Sequence, residues 1–470
     1  MRLRVVLAII GLCCCAAVVG FFVFRAHSPG PRPNLLLITL DTLRRDHLSC
    51  YGYEKETTPA VDELAKESVK YEDALTPASW TLPAHASLFT GMLPTFHGAH
   101  YGPIFGEGKK EDLLILSLND GPATLAGELK KAGYKTGAVI GGPVLHSSSG
   151  LGRGFDFYFD GIIRESTSSA FYRPAHETTT LAVRWLKENY SLPQQAPFFL
   201  FLNYFDAHSP YNAPEPWGKP DVPKEKCKIS SGYYDDVFKG IRDLTDDEYQ
   251  FLTNQYDDEI RYMDWNIRRL FYEMKQLGLY DSTMIIVTSD HGETFGEHRR
   301  MGHGRALYDE LLRVPLIIKY PLKDAKVGVV KDRVSIASIM ATVLEYLGLP
   351  VPKSVSYKSL SHANQPMAAE IFRDITWIVD YGKRYDRDMK ALYDGDYKWI
   401  WNSNGEQELY NIKEDPGEMD NKWGTSPEIE QRMQARLDDL LAGATGPQSS
   451  AAMKIDDELK TRLEALGYVR

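Results

Sequence analysis

Asn34-Leu35-Leu36-Leu37-Ile38-Thr39-Leu40 is a run of seven residues without a charge, closed by Asp41. An apolar run this short, with Pro33 before it and a carboxylate after it, reads as a strand buried on both faces. In open α/β sheets ligands bind beyond the carboxyl ends of such strands, which places Asp41 at a binding edge. The pattern recurs along the chain. A helix ending at Gly133 leads into a strand from Thr136 to Ile140, and a helix around Leu181 to Leu186 leads into Phe198-Phe199-Leu200-Phe201-Leu202, which delivers Asp206-Ala207-His208. Ile260, Met263, Ile267, Leu270, Phe271 and Met274 then mark a long amphipathic helix. It precedes the strand Met284-Ile285-Ile286-Val287-Thr288 and the loop Ser289-Asp290-His291-Gly292-Glu293. Helices alternating with apolar strands predict an α/β fold, a mostly parallel sheet sandwiched by helices.

From about Pro350 the pattern changes. Ala391-Leu392-Tyr393, the Asp394-Gly395 turn, Tyr397 to Trp401 and Leu409-Tyr410 read as an antiparallel meander. A helix from Pro427 to Leu441 is expected to cover it through Ile429, Met433, Leu437 and Leu440. The expected organisation is a main domain over 34–350 and a small C-terminal subdomain, an antiparallel sheet plus helix, over 351–470. Ahead of them come an N-terminal segment, 1–27, and a stiff proline-rich linker, 28–33.

The net charge is −10 and no Lys/Arg-rich block stands outside the extreme N-terminus, which argues against a nucleic-acid partner. Val5 to Phe24 is an uncharged apolar run of 20 residues flanked by Arg2, Arg4 and Arg25. That length spans a bilayer, whereas the apolar core of a cleaved signal peptide is about 7–15 residues. The expectation is an uncleaved membrane anchor with the rest of the chain outside the cytoplasm; a cleaved signal, using the small residues near Ala16-Ala17 and Gly20, is the alternative. Cys13, Cys14 and Cys15 lie in this run, so Cys50 and Cys227 are left to form one bridge or to stay as thiols.

Ser79-Trp80-Thr81-Leu82-Pro83-Ala84-His85-Ala86-Ser87-Leu88-Phe89-Thr90-Gly91 carries the candidate nucleophile. Turn-compatible residues open it, a hydroxyl stands just ahead of a proline, and a short helical segment runs to Gly91. A side chain there sits at a helix N-terminus, where free N–H groups and the helix dipole favour an anion. Taken alone, Thr81 also reads as a helix cap, Asp41 as a strand-end cap and Asp290-His291 as a solvated loop.

The stretch resembles the sulfatase signature of the alkaline phosphatase superfamily: Cys or Ser, one residue, Pro, one residue, Arg, then a Leu and a Thr-Gly. Thr81 falls on the nucleophile, Pro83 on the Pro, His85 on the Arg, and Leu88 with Thr90-Gly91 on the tail. Glu408-Leu409-Tyr410-Asn411 and Asp415-Pro416-Gly417-Glu418 resemble phrases of the small sulfatase subdomain, so the resemblance runs from Asn34 to the C-terminus. It implies an alkaline phosphatase-like fold and one divalent metal ion held by Asp41, Thr81, Asp290 and His291. The family's second Asp after the first strand is Thr42 here, and the Asn that commonly follows the later Asp is His291. Three oxygens and one imidazole favour Zn²⁺ or Mn²⁺, with Ca²⁺ or Mg²⁺ as alternatives.

The resemblance further implies that Thr81 attacks sulfur or phosphorus, giving a covalent ester that water cleaves. His85, His208 and His303 would supply donors and the leaving-group proton. A second metal at Asp206, His208 and His303 is the minority alternative. Sulfatases convert their Cys or Ser to formylglycine, which threonine cannot become; a phosphate or phosphonate ester is therefore the chemical expectation, while overall similarity says sulfatase. The expected substrate is a small anionic ester, or a sulfated or phosphorylated glycan or lipid. The rivals are an envelope phosphoethanolamine-type transferase and a non-catalytic protein that binds anionic glycans.

Overall fold

A computed structural model describes residues 32–102, 115–161, 171–190, 196–219, 222–229, 232–362, 366–442 and 450–469. The apolar N-terminal run and its three cysteines lie outside them; among the described residues no helix is long and apolar enough to cross a membrane.

The strands are β1 (Asn34–Leu40), β2 (Val69–Leu75), β3 (Lys135–Val139), β4 (Phe157–Phe159), β5 (Phe198–Tyr204), β6 (Thr283–Thr288), β7 (Thr294–Phe295), β8 (Met301–Gly302), β9 (Arg313–Lys319) and β10 (Gly328–Ser335). Eight of them form one sheet in the order β10-β2-β9-β6-β1-β5-β3-β4, and only β9 runs against the others. β1 lies at its centre between β5 and β6. Its alternation divides the core: Leu35 and Leu37 join Phe199, Phe201, Met284 and Ile286 on one face, and Leu36, Ile38 and Leu40 join Leu200, Leu202, Ile285 and Val287 on the other. The first face is covered by the helix Thr81–Thr90, through Leu82, Ala86, Leu88 and Phe89. The second is covered by the helices Ala175–Tyr190 and Asp246–Gln276.

Pro315 sits inside β9, where it has no N–H for the ladder. Opposite it β2 bulges, with Glu72 and Asp73 facing one position between the Tyr71–Leu316 and Ala74–Val314 pairs.

The C-terminal sheet is antiparallel, ordered β11 (Met367–Ile371), β12 (Met389–Asp394), β13 (Tyr397–Asn402), β14 (Gln407–Asn411). The helix Pro427–Leu441 buries Met433 and Leu437 against Leu392, Trp399 and Leu409, with Ile429 and Leu440 at the margin. β11 had no counterpart in the sequence reading. Cys50 and Cys227 are both free thiols, so the bridge that the cysteine count allowed is not formed.

The small sheet is tied to the large one by charge as well as by apolar contact. Lys398 Nζ lies 2.8 Å from Asp309 Oδ1 and 2.6 Å from Glu418 Oε1, all three side chains being buried. Removing the shared cation strands a buried carboxylate, so Lys398→Met is expected to lose roughly 3 kcal/mol in urea unfolding. Burial, with the Asp309 charge nearby, outweighs Lys398 and pushes the Glu418 carboxyl up to about 7, from an ordinary value of 4.5. A carboxyl raised on folding stabilises fully below its unfolded value and loses that contribution as pH rises through the folded one. Wild-type stability relative to Glu418→Gln should therefore fall between about pH 4.5 and pH 7 and level off above, read from paired melts across that range.

Candidate active site

The loops that leave the carboxyl ends of β1, β5 and β6 converge. β1 ends at Asp41, β5 leads to His208, and β6 leads to Asp290 and His291. Across from them the helix Thr81–Thr90 begins with Thr81 itself, after Trp80, whose side chain provides no cap. The N-terminal turn is thus left without a side-chain acceptor, as suits an anion subsite. Gly91 ends this helix in the left-handed region (φ 66°), where a Cβ would stand 2.6 Å from Val355.

Asp41, Asp290 and His291 are fully buried, and each offers a ligand atom within 4.8 Å of the others. Asp290 Oδ1 accepts the backbone N–H groups of Thr42 (3.2 Å) and His291 (2.9 Å). Asn203 donates to Asp41 Oδ2 at 3.4 Å. Among the described residues Asp41 Oδ1 and Asp290 Oδ2 have no hydrogen-bond partner. Burial and the neighbouring Asp290 carboxylate raise Asp41 well above the ordinary carboxylate range, and burial raises Asp290 too. His291 Nδ1 donates to the Gly292 carbonyl at 2.9 Å, which leaves the lone pair of Nε2 for the site. Two orphaned buried carboxylate oxygens beside a free imidazole lone pair fit a divalent cation, which would cancel the repulsion between them. Thr81 Oγ1 lies 3.3 Å from His291 Nε2, at the margin of this group.

Thr42, at the position of the family's second Asp, has a left-handed backbone (φ 56°). Its single hydroxyl hydrogen is shared between the carbonyls of Asp41 (2.7 Å) and Ala207 (2.8 Å), so it braces the loop. Gly292 is required for a different reason: a Cβ there would meet the Glu310 carbonyl at 1.9 Å.

The histidines divide. His303 Nδ1 lies 3.0 Å from Glu293 Oε1, whose other oxygen accepts from Tyr211 at 3.0 Å. Its ring is 4.6 Å from that of His291 and 4.9 Å from that of His208. His208 donates from Nδ1 to the Ser209 carbonyl (2.6 Å) and turns Nε2 into the site. His85, expected to serve as a donor to the reaction, is placed otherwise. Its Nδ1 donates to the Thr81 carbonyl (2.8 Å) and its Nε2 accepts from Thr39 (2.9 Å), with Asp290 Oδ2 at 3.6 Å from Nδ1. Both nitrogens are engaged, by the Thr81 carbonyl and the Thr39 hydroxyl, so the ring has neither nitrogen left for a reacting group.

Asp206 does not join His208 and His303 as the second-metal alternative required. Its Oδ1 accepts the Ala175 N–H at the start of the Ala175–Tyr190 helix (2.8 Å), and among the described residues it belongs to no metal-binding group. A second group, His298, Glu310 and Glu418, is tied down by Lys398 at Glu418 and reads as part of the inter-sheet ion network.

Sequence reading missed Glu293, Asn203 and Tyr468. Glu293 stood in the quoted loop without a role, and Asn203 marks the polar end of an apolar strand. Tyr468 carries no local signal; its hydroxyl is 3.2 Å from Thr81 Oγ1, 387 residues earlier in the chain.

Residues 33–349 match the family model described as Sulfatase, and residues 296–443 match N-sulphoglucosamine sulphohydrolase, C-terminal. The chain is 24% identical over 447 residues to "Uncharacterized sulfatase YidJ" of Escherichia coli, covering 83% of each. A phosphonate monoester hydrolase of Agrobacterium radiobacter superposes with a TM-score of 0.70 at 21% identity, over 88% of this chain and 96% of its own. A structure bound to its substrate D-glucosamine-2-N,6-O-disulfate superposes at 0.68 and 19%, over 89% and 100%.

Proposed function

The chain belongs to the sulfatase family, and from that premise we propose that it is a metal-dependent hydrolase of phosphate or phosphonate esters that works through a covalent Thr81 intermediate. The observation that carries this is the Thr81 hydroxyl at an uncapped helix start, beside two buried carboxylates whose orphaned oxygens and one imidazole nitrogen suit a cation. Asp41, Asp290 and His291, with Thr81 Oγ1, would hold Zn²⁺ or Mn²⁺, the mixed oxygen and nitrogen set being less natural for Ca²⁺. Such an ion supplies Lewis-acid stabilisation of anionic oxygen and acidifies a hydroxyl that it touches.

The remaining work falls to the chain. Thr81 Oγ1 attacks phosphorus in line and the alcohol leaves, so the new bond is Thr81 O–P, the broken one is P–O to the leaving group, and Thr81 gives its hydroxyl proton to a histidine base. His208, whose Nε2 is an acceptor, can receive the Thr81 proton; His303, oriented by Glu293, can carry a proton to the leaving oxygen and take one from the incoming water, and Thr81 regains its proton when that water displaces it. His85 and Thr39 hold the helix start from behind.

Threonine decides between phosphorus and sulfur. Without formylglycine, a Thr81 sulfate ester must be hydrolysed by direct attack at sulfur, whereas a Thr81 phosphate ester breaks down by the same displacement that formed it. Hydrolysis of a sulfated glycan is the second reading, favoured by likeness to the glucosamine-disulfate complex. The apolar run Val5 to Phe24 supports export of the enzyme and its tethering to a membrane.

Residues 34–470 supplied with Mn²⁺ or Zn²⁺ can be assayed on matched aryl sulfate, phosphate monoester, phosphonate monoester and phosphodiester substrates. A phosphorus ester is expected to turn over at least about 10-fold faster than the sulfate. Faster turnover of the sulfate would overturn the assignment of substrate class.

A further inference from the structure

The C-terminal tail is built into the site. Its extended start pairs with the main domain, Met453 donating to the Ile115 carbonyl and Ser117 to that of Ala451. The helix Asp457–Leu466 follows, capped at its start by Asp456. Leu459, Leu463 and Leu466 are buried with the layer that includes Val144 and Leu145. Gly467 ends the helix in the left-handed region (φ 83°), and the Tyr468 N–H then bonds back to the Leu463 carbonyl at 2.9 Å. That helix-ending turn fixes the direction of the next side chain. The phenol of Tyr468 is buried, its oxygen 3.2 Å from Thr81 Oγ1 and 3.0 Å from His208 Nε2.

The hydrogens can be assigned from the partners. His208 Nδ1 must donate, because the Ser209 carbonyl only accepts; Nε2 must then accept, so Tyr468 donates to it. The phenol oxygen is left to accept from the Thr81 hydroxyl. The other acceptor within reach of that hydroxyl is His291 Nε2, 3.3 Å away, whose lone pair a bound cation would occupy. Tyr468 then decides which way the Thr81 hydrogen points. With the hydrogen turned toward Tyr468, the lone pairs of Oγ1 are left for a bound cation and for attack.

We propose that Tyr468, delivered by the C-terminal tail, is a catalytic residue that orients the Thr81 hydroxyl for attack. The proposal rests on the reading of Thr81 as nucleophile. It also assigns the segment 450–469 to the active site.

The test uses the full chain with Mn²⁺, comparing wild type, Tyr468→Phe, Tyr468→Ala and Thr81→Ala. Four quantities are read: kcat, KM, orthovanadate affinity and bound manganese with the melting temperature. Tyr468→Phe keeps the ring and its packing, so manganese content and melting temperature should stay unchanged. kcat should fall about 10- to 100-fold, the scale on which misorientation of an attacking group is felt, and vanadate, which bonds to the same Thr81 oxygen, should bind about 10-fold more weakly. KM should change less than kcat, which a merely structural role would not produce.

Wild-type kcat and vanadate affinity in Tyr468→Phe, with Thr81→Ala inactive, would overturn this proposal alone. A rise in kcat/KM in Tyr468→Ala would also overturn it, by making the phenol an obstruction in the substrate position. Neither turnover nor vanadate binding in the wild type would overturn the reading of the site, and this proposal with it.

Discussion

Thr81→Ala is expected to lower kcat/KM for the preferred ester by roughly 10⁴-fold, the scale on which loss of an attacking group is measured in enzymes with covalent intermediates. The fold should be untouched. Thr81 is the first residue of its helix, where alanine is at least as good a helix former, and the substitution removes only two side-chain atoms, Oγ1 and Cγ2, from the buried space. What the chemistry loses is Oγ1, with its contacts to Tyr468 at 3.2 Å and His291 at 3.3 Å. The melting temperature should therefore move by no more than about 2 °C. Thr81→Ser keeps the oxygen and should keep turnover within about 10-fold, the lost methyl loosening the rotamer. Mass spectrometry of rapidly quenched wild type with a phosphate ester should find the added phosphoryl group on Thr81. Turnover that survives in Thr81→Ala, or an adduct on another residue, would remove Thr81 as the nucleophile.

Asp290→Asn is expected to abolish retention of the divalent ion and to reduce kcat/KM by roughly 10³-fold, while the metal-free protein melts no lower than metal-free wild type. The two halves have one cause. Asp41 and Asp290 are fully buried, both are raised by that burial, and each has an oxygen without a hydrogen-bond partner among the described residues. Without a cation the pair repels; asparagine keeps an oxygen to accept from Thr42 and His291 and removes one charge. With a cation the order reverses, since an ion present at about 1,000 times its Kd adds about 4 kcal/mol to the stability of the state that binds it. Differential scanning fluorimetry of both proteins, with chelator and with Mn²⁺, reads this directly. Wild type should shift upward with the ion and Asp290→Asn should not. A metal-free Asp290→Asn clearly less stable than metal-free wild type would mean that the carboxylate is a structural partner, its repulsion with Asp41 being minor.

Much of the sheet edge that carries the candidate site was legible in the sequence because its parts are local. β1, β5 and β6 carry the unbroken apolar runs Leu35 to Ile38, Phe198 to Leu202 and Met284 to Val287, and the groups of the candidate site follow within a few residues of each strand: Asp41, then His208, then Asp290-His291. A strand buried on both faces needs no knowledge of its neighbours to be recognised, and its carboxyl end needs none to be placed at the binding edge. The helix Thr81–Thr90 was equally visible, with Pro83 near its start and Gly91 at its end.

What stayed hidden depends on neighbours. β2 carries Lys70, Glu72 and Asp73 and bulges opposite Pro315, while β10 is an edge strand whose first residues are exposed, so neither shows an apolar run. His85 falls in sequence on the signature's arginine position and is expected there to be a donor, and only the fold closes both its nitrogens on Thr81 and Thr39. Tyr468 belongs to the site solely because the tail helix docks where it does, a relation between segments 387 residues apart that no spacing rule can express. The sequence by itself determined the strands that are apolar on both faces and the chemical groups at their ends, since burial pattern and residue type are properties of short segments. The tertiary structure alone decided which way each polar atom of those groups is turned, because a hydrogen-bond direction is set by the partner brought against it and not by the chain that carries it.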